Sequence, residues 1–174
     1  MGNMKTLSTI ASLQVMQFQI HDVNVCIDLQ YIKKVLPLPL LETVPASQSY
    51  LVGLMNFSGK SIPVIDLAWR LELIREVPYS IDTPILLCTD GKQEVGLIVD
   101  KILGLASVDA SCIQVQNEFT TSESPFLATI LLESKLTLLL DINYVFDLNY
   151  SLEKAKSDFN EHVVDITKAH SYDE

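Results

Sequence analysis

Two carboxylates close apolar runs: Asp66 follows Ile62-Pro63-Val64-Ile65, and Asp100 follows Val95-Gly96-Leu97-Ile98-Val99. A carboxylate pair such as Asp66 with Asp100, or Asp22 with Asp28, has the chemistry for general acid/base work. An aspartate at a strand end also accepts backbone amides in a turn, a role that needs no second group. A nucleophilic triad needs a histidine in the framework. His162 and His170 lie in the C-terminal tail, which leaves His21, itself in the turn His21-Asp22-Val23-Asn24. The cysteines Cys26, Cys88 and Cys112 are odd in number and form no CxxC pair. Cys26 and Cys88 sit in strand-like runs and read as small buried hydrophobes of a reducing cytosol. Cys112 is left as the remaining candidate nucleophile. Neither histidines nor cysteines cluster at metal-ligand spacing, and no phosphate-cradling, zinc-protease or nucleophile-elbow motif is present. These residues point to a protein that binds rather than reacts, with no catalytic residue, no metal and no cofactor.

The stretch Gly53-Leu54-Met55-Asn56-Phe57-Ser58-Gly59-Lys60-Ser61-Ile62-Pro63-Val64-Ile65-Asp66-Leu67 carries the strongest binding signal. Ser58-Gly59 predicts a tight turn, and the flanking apolar runs predict the two strands of a hairpin. Pro63 has no amide to donate, which places its strand at a sheet edge or a bulge. A sheet edge is where a second protein can pair. Gly53, Gly59, Gly96 and Gly104 relieve crowding at turns, bulges or close backbone approaches, and would equally let a partner strand approach.

Composition narrows the partners. The chain has 174 residues, a formal net charge of −10 and a hydrophobic fraction of 48%. That length and apolar content suit one domain or two small lobes with a packed core. The acidic balance disfavours nucleic acid and anionic membrane surfaces. No run reaches the length of a spanning helix, because Glu133, Lys135 and Asp141 break the most apolar stretch. No signal peptide is visible after Lys5.

Stepping along the chain, residues 1 to 12 read as a flexible arm and Val15 to Ile20 as a half-buried strand, followed by Val25-Cys26-Ile27. Asp28 is placed to cap a short helix over Leu29 to Leu36, ended by Pro37 and Pro39. Asp66 to Leu71 reads as a turn and Leu73 to Asp82 as a mixed loop. Asp90-Gly91 marks a second hairpin, Ile85 to Thr89 with Gln93 to Val99. Val108 to Gln116, Ala128 to Leu132 and Leu136 to Leu140 read as further strands, and Asn143 to Leu148 as a terminal helical turn. Short strands at this spacing predict a mainly β fold, a small barrel or sandwich. The hairpins fall in two halves, about 22–80 and 85–146. Beyond them, 149–174 forms an acidic amphipathic tail with Leu152, Ala155, Phe159, Val163 and Ile166 on one helical stripe, free to pack on its own barrel or to bind a partner.

Val44-Pro45-Ala46, the run Tyr50 to Leu67, the run Val95 to Leu103 and Leu138-Leu139-Leu140-Asp141-Ile142 together resemble the CheW family, the adaptor of bacterial chemosensory complexes. The resemblance covers residues 13 to 148. It implies two packed SH3-like β-barrels with short helices, with the first strand, 13–20, joining the second barrel. It implies a cytoplasmic, non-catalytic scaffold, recruited to membrane receptor complexes without inserting in the membrane. The implied partners are a CheA-type histidine kinase, held by one barrel, and a chemoreceptor cytoplasmic tip, held between barrels. The expected partner-binding positions are Lys34, Val35, Gly53, Asn56, Phe57, Ser58, Gly59, Gly96, Val99 and Asp100. Two of them depart from the family pattern, which usually has Arg at the place of Ser58 and often Glu at that of Lys34. Ser lacks the planar bidentate donor of Arg, and Lys for Glu reverses a charge. Both changes bear on partner choice more than on fold. The alternatives are an adaptor of a pilus-motility or other-output chemosensory pathway, and a β-barrel binding module outside two-component signalling.

Overall fold

The computed structural model describes residues 12–45, 47–75, 77–119 and 124–147. The tail 149–174 and nearly all of the 1–12 arm lie outside the described residues. Ser12, the last residue of that arm, already opens the first strand. In chain order the strands are β1 (Ser12–Ile20), β2 (Val23–Asp28), β3 (Ile32–Pro37), β4 (Leu51–Phe57), β5 (Lys60–Asp66), β6 (Pro84–Thr89), β7 (Glu94–Ile98), β8 (Lys101–Asp109), β9 (Ile113–Gln114), β10 (Phe126–Leu132) and β11 (Lys135–Leu140). Two short helices follow β5 and β11: α1 (Leu67–Arg70) and α2 (Ile142–Phe146). None is long and apolar enough to cross a membrane.

The strands form two sheets, in the orders β8-β1-β2-β11-β10-β9 and β3-β6-β7-β5-β4. The division differs from the halves 22–80 and 85–146. Strand β2 belongs to the six-stranded sheet, and the β6–β7 hairpin to the five-stranded one. The physical reason is two parallel pairings, β5 with β7 and β11 with β2, which join strands far apart in sequence and leave no local signal.

The apolar side chains sort into three cores. Leu13, Val15, Cys26, Val108, Ala128, Ile130 and Leu139 fill the six-stranded sheet. Met55, Ile62, Val64, Ile85, Leu87 and Ile98 fill the five-stranded one. The largest core lies between them and takes Phe18, Ile20, Val25 and Ile27 from one sheet, with Ile65, Leu86, Cys88 and Leu97 from the other. Adjacent residues of one strand therefore face different cores: Ile85 and Leu87 point into a barrel, Leu86 and Cys88 into the seam. Strands buried on both faces read as unbroken apolar runs, which is why Ile85-Leu86-Leu87-Cys88 shows no alternation.

Three local expectations change. The helix over Leu29 to Leu36 is a single 3-10 turn, Leu29–Tyr31, followed by strand β3. Asp28 does cap the turn, accepting from the Gln30 amide at 3.0 Å. The residue before Pro37 resists the α conformation, and β-branched Ile32 and Val35 suit the extended chain that replaces it. Pro63 is not on an edge strand, since β5 lies between β7 and β4. Its ladder with β7 covers only Val64 to Asp66, so Pro63 stands just beyond the bonds it could not make. The strand expected over Val108 to Gln116 is instead the end of β8, a 3-10 turn at Ala110–Cys112 and the two-residue β9.

Candidate docking surface

The β4–β5 hairpin presents the exposed site. Ser58 and Gly59 have φ of 53° and 80°, the left-handed pair that a two-residue I′ turn requires. Asn56 Oδ1 accepts from the Gly59 amide at 3.1 Å and fixes the loop. Asn56, Ser58 and Gly59 are exposed, while Phe57 is half-buried and packs against the core of its barrel. Lys34 and Val35 lie exposed on β3, the opposite edge of the same sheet. The sheet curls until these edges meet, with Lys34 Nζ 5.6 Å from the centre of the Phe57 ring. A cation over a ring at an exposed site contributes about 0.5–1 kcal/mol. The neighbouring Lys33 pairs with Glu94 of β7, and Lys60 Nζ approaches the same carboxylate at 3.8 Å. Lys33 and Lys60 hold the Glu94 carboxyl below its usual range, with the Lys33 hydrogen bond as the main cause. One continuous rim thus carries Lys34, Val35, Asn56, Phe57, Ser58 and Gly59.

The other four expected positions lie elsewhere. Gly96 and Val99 are buried and offer no side-chain surface. A Cβ on Gly96 would meet Ile85 Cγ2 at 3.1 Å and Val64 Cγ2 at 3.2 Å, so that glycine serves barrel packing. At Gly53 the close backbone approach is made by the chain itself. Glu42 and Leu54 exchange two backbone bonds of 2.8 Å across β4, and a Cβ on Gly53 would lie 2.6 Å from the Glu42 carbonyl oxygen. That contact also covers the middle of the β4 edge.

Asp100 belongs to a cluster with Asp66 that sequence reasoning read as two separate turn caps. Asp66 is fully buried. It caps α1 through the Ala68 amide at 2.9 Å and receives Arg75 Nε at 2.5 Å. Tyr79 donates its hydroxyl to the same carboxylate at 2.5 Å. Arg75 Nη1 donates to Asp100 Oδ1 at 2.6 Å, and Asp100 Oδ2 accepts the His21 amide at 2.5 Å. One guanidinium therefore joins the end of β5 to the β1–β2 turn of the other sheet. Burial, with the hydrogen bond to Asp66, pushes the Tyr79 phenol above its ordinary range. The pair is spent on a charge clamp, with both carboxylates held by a cation that cannot release a proton. Arg75 and Tyr79 sit in the featureless loop 73–82, where periodicity gives no warning. The available signal was chemical: a buried strand-end aspartate needs a cation, and the chain's two arginines, Arg70 and Arg75, both fall just after Asp66.

Among the described residues no group of three or more His, Cys, Asp or Glu side chains could hold a metal. Burial pushes the Cys26 thiol up to about 12 and the Cys88 thiol higher still. Cys112 is half-exposed. A thiol reagent added to the native protein is therefore expected to label Cys112 alone, with Cys26 and Cys88 reacting only after denaturation. Rapid labelling of either buried thiol would contradict the packing.

A family model described as CheW-like domain matches residues 14–149. The chain belongs to the CheW-like family. The probable chemotaxis protein CheW of Rhizobium etli is 25% identical over 135 residues, covering 76% of this chain and 86% of that protein. The chemotaxis protein CheW of Thermotoga maritima is 25% identical over 145 residues, covering 83% and 95%. The crystal structure of the scaffolding protein TtCheW from Thermoanaerobacter tengcongensis superposes with a TM-score of 0.67 at 23% identity, covering 74% of this chain and 88% of that one. The architecture is that of this CheW fold, two SH3-like barrels with few short helices. Within it the Lys34–Gly59 rim is the closing edge of one barrel, and the Arg75 clamp lies where the barrels join.

Proposed function

We propose that this CheW-type chemotaxis scaffold is a cytoplasmic adaptor that couples chemoreceptor tips to a CheA-type histidine kinase and performs no reaction itself. The observation that carries this reading is the continuous rim from Lys34 and Val35 to Asn56, Phe57, Ser58 and Gly59. It combines exposed loop backbone, an aromatic anchor and an adjustable charge, the composition of a modest docking face of about 800 Å² or less. Direct titration of the purified chain against a kinase regulatory domain and a receptor-tip fragment tests it. Binding to neither would overturn the proposal.

A second reading, an adaptor for pilus-driven movement or another output, is favoured by Ser58 and Lys34. At this turn Ser58 is exposed, so its replacement changes the donor offered to a partner without touching the core. Ser58→Arg is expected to tighten binding to the kinase of a standard motility array about tenfold, the value of one charge-assisted hydrogen bond. Equal affinity of both forms for every kinase domain titrated would remove the specificity role.

A further inference from the structure

The seam between the barrels opens on one side into a notch of about 320 Å³ lined by Val23, Leu71, Leu73, Phe126, Leu138 and Tyr144. All six are half-buried, and Val23, Leu71, Leu73 and Phe126 pack against the inter-barrel core. The notch is small for a free ligand and ample for one or two apolar side chains. Arg70 forms part of its wall, with its guanidinium 4.0 Å from the Tyr144 ring centre and 5.2 Å from that of Tyr50. Arg70 Nε is the one buried side-chain nitrogen or oxygen without a hydrogen-bond partner among the described residues. Leaving such a donor unmet is unfavourable, and a carboxylate is its strongest acceptor.

We infer that the notch is the docking site of the chain's own acidic tail, with the apolar stripe of residues 152–166 laid across it and a carboxylate brought to Arg70. The place where the chain leaves the described structure argues for this occupant. Tyr144 lines the notch, Phe146 is buried beside it in the inter-barrel core, and the description ends at Asp147. Residues 148–151 can span about 13 Å when extended, enough to turn back onto the same face. From there the sequence supplies Leu152, Ala155, Phe159, Val163 and Ile166 at helical spacing. A helix of that length runs about 22 Å, longer than the notch and able to bridge its rim. Residues 149–174 carry six acidic side chains against three lysines, which complements Arg70; Glu72 also lines the notch but leaves the Arg70 Nε unmet. A tether this short keeps the tail at an effective concentration in the millimolar range, so a weak contact suffices.

Amide hydrogen exchange on the full chain, compared with Phe159→Asp, tests the contact. An isolated helix of this length is marginal in water, so protection in the tail reports docking. At low protein concentration the amides of 152–166 are expected to exchange at least about tenfold slower than an unstructured chain. Phe159→Asp is expected to remove that protection and speed exchange at Leu71, Leu73 and Phe146, with the barrels still folding cooperatively and their urea midpoint falling by no more than the lost docking contact accounts for. Tail amides exchanging at unstructured rates in the unaltered chain would overturn the inference. So would protection that grows with protein concentration, which would place the tail on a second copy.

Discussion

Replacing Arg75 by Met is expected to cost about 3 kcal/mol of folding free energy, because it strands the carboxylate of Asp66 in the interior. Asp66 has no solvent exposure, and Arg75 supplies two of its contacts, from Nε at 2.5 Å and Nη2 at 3.2 Å. The Ala68 amide and the Tyr79 hydroxyl remain and keep the loss at the lower end of the usual range for a broken buried pair. Typical domains are stable by about 5–15 kcal/mol, so the loss is a large share of the total. Urea unfolding reads it directly. Asp66→Asn removes the charge while keeping an acceptor for the helix cap, so the double variant is expected to recover at least about 1 kcal/mol relative to additivity. A single-variant loss below about 1 kcal/mol would show that the clamp behaves as an exposed ion pair.

Gly53→Ala is the second large effect, expected at about 2 kcal/mol. The added methyl would lie 2.6 Å from the Glu42 carbonyl oxygen and 3.1 Å from Leu41 Cβ. The nearest atom is backbone, held by two hydrogen bonds to Leu54, so relief requires the 41–42 segment to lift off β4. Overpacking of this kind costs about 1–3 kcal/mol. The variant should unfold at lower urea and lose exchange protection at the Glu42 and Leu54 amides together. Gly59→Ala separates packing from backbone strain. Its Cβ would meet nothing within 4 Å, and its φ of +80° alone carries a penalty of about 1–2 kcal/mol. Equal stability of Gly53→Ala and the unaltered chain would mean that the Glu42 bridge is loose.

The hairpins were legible in the sequence because their turns are chemical signals. Ser58-Gly59 and Asp90-Gly91 sit at the tips of β4–β5 and β6–β7, where their types predict them. Strand β3 was not legible, because Ile32 and Val35 at a spacing of three imitate one face of a helix, whereas in the sheet Val35 is 41% exposed and packs on nothing of that kind. Sheet membership was hidden for another reason. The pairing of Val64 with Gly96 and of Leu138 with Val25 joins segments far apart in the chain, and local propensity carries no information about such contacts. The rim residues Asn56 to Gly59 were read from turn chemistry, and their meeting with Lys34 needed the closure of the barrel. Arg75 was missed because a loop cation has no period, and its partners lie 9 and 25 residues away.

The five-stranded barrel is threaded into the other one, leaving it after Asp28 and returning at Lys101. The return passes through Asp100, which Arg75 ties to Asp66 and which also accepts the His21 amide, so that crossing is pinned from both sheets. The two barrels are thereby stitched by two covalent crossings as well as by the apolar core between them. Under the proposed adaptor reading, two partners held by such a molecule would meet at an angle set by its own covalent path.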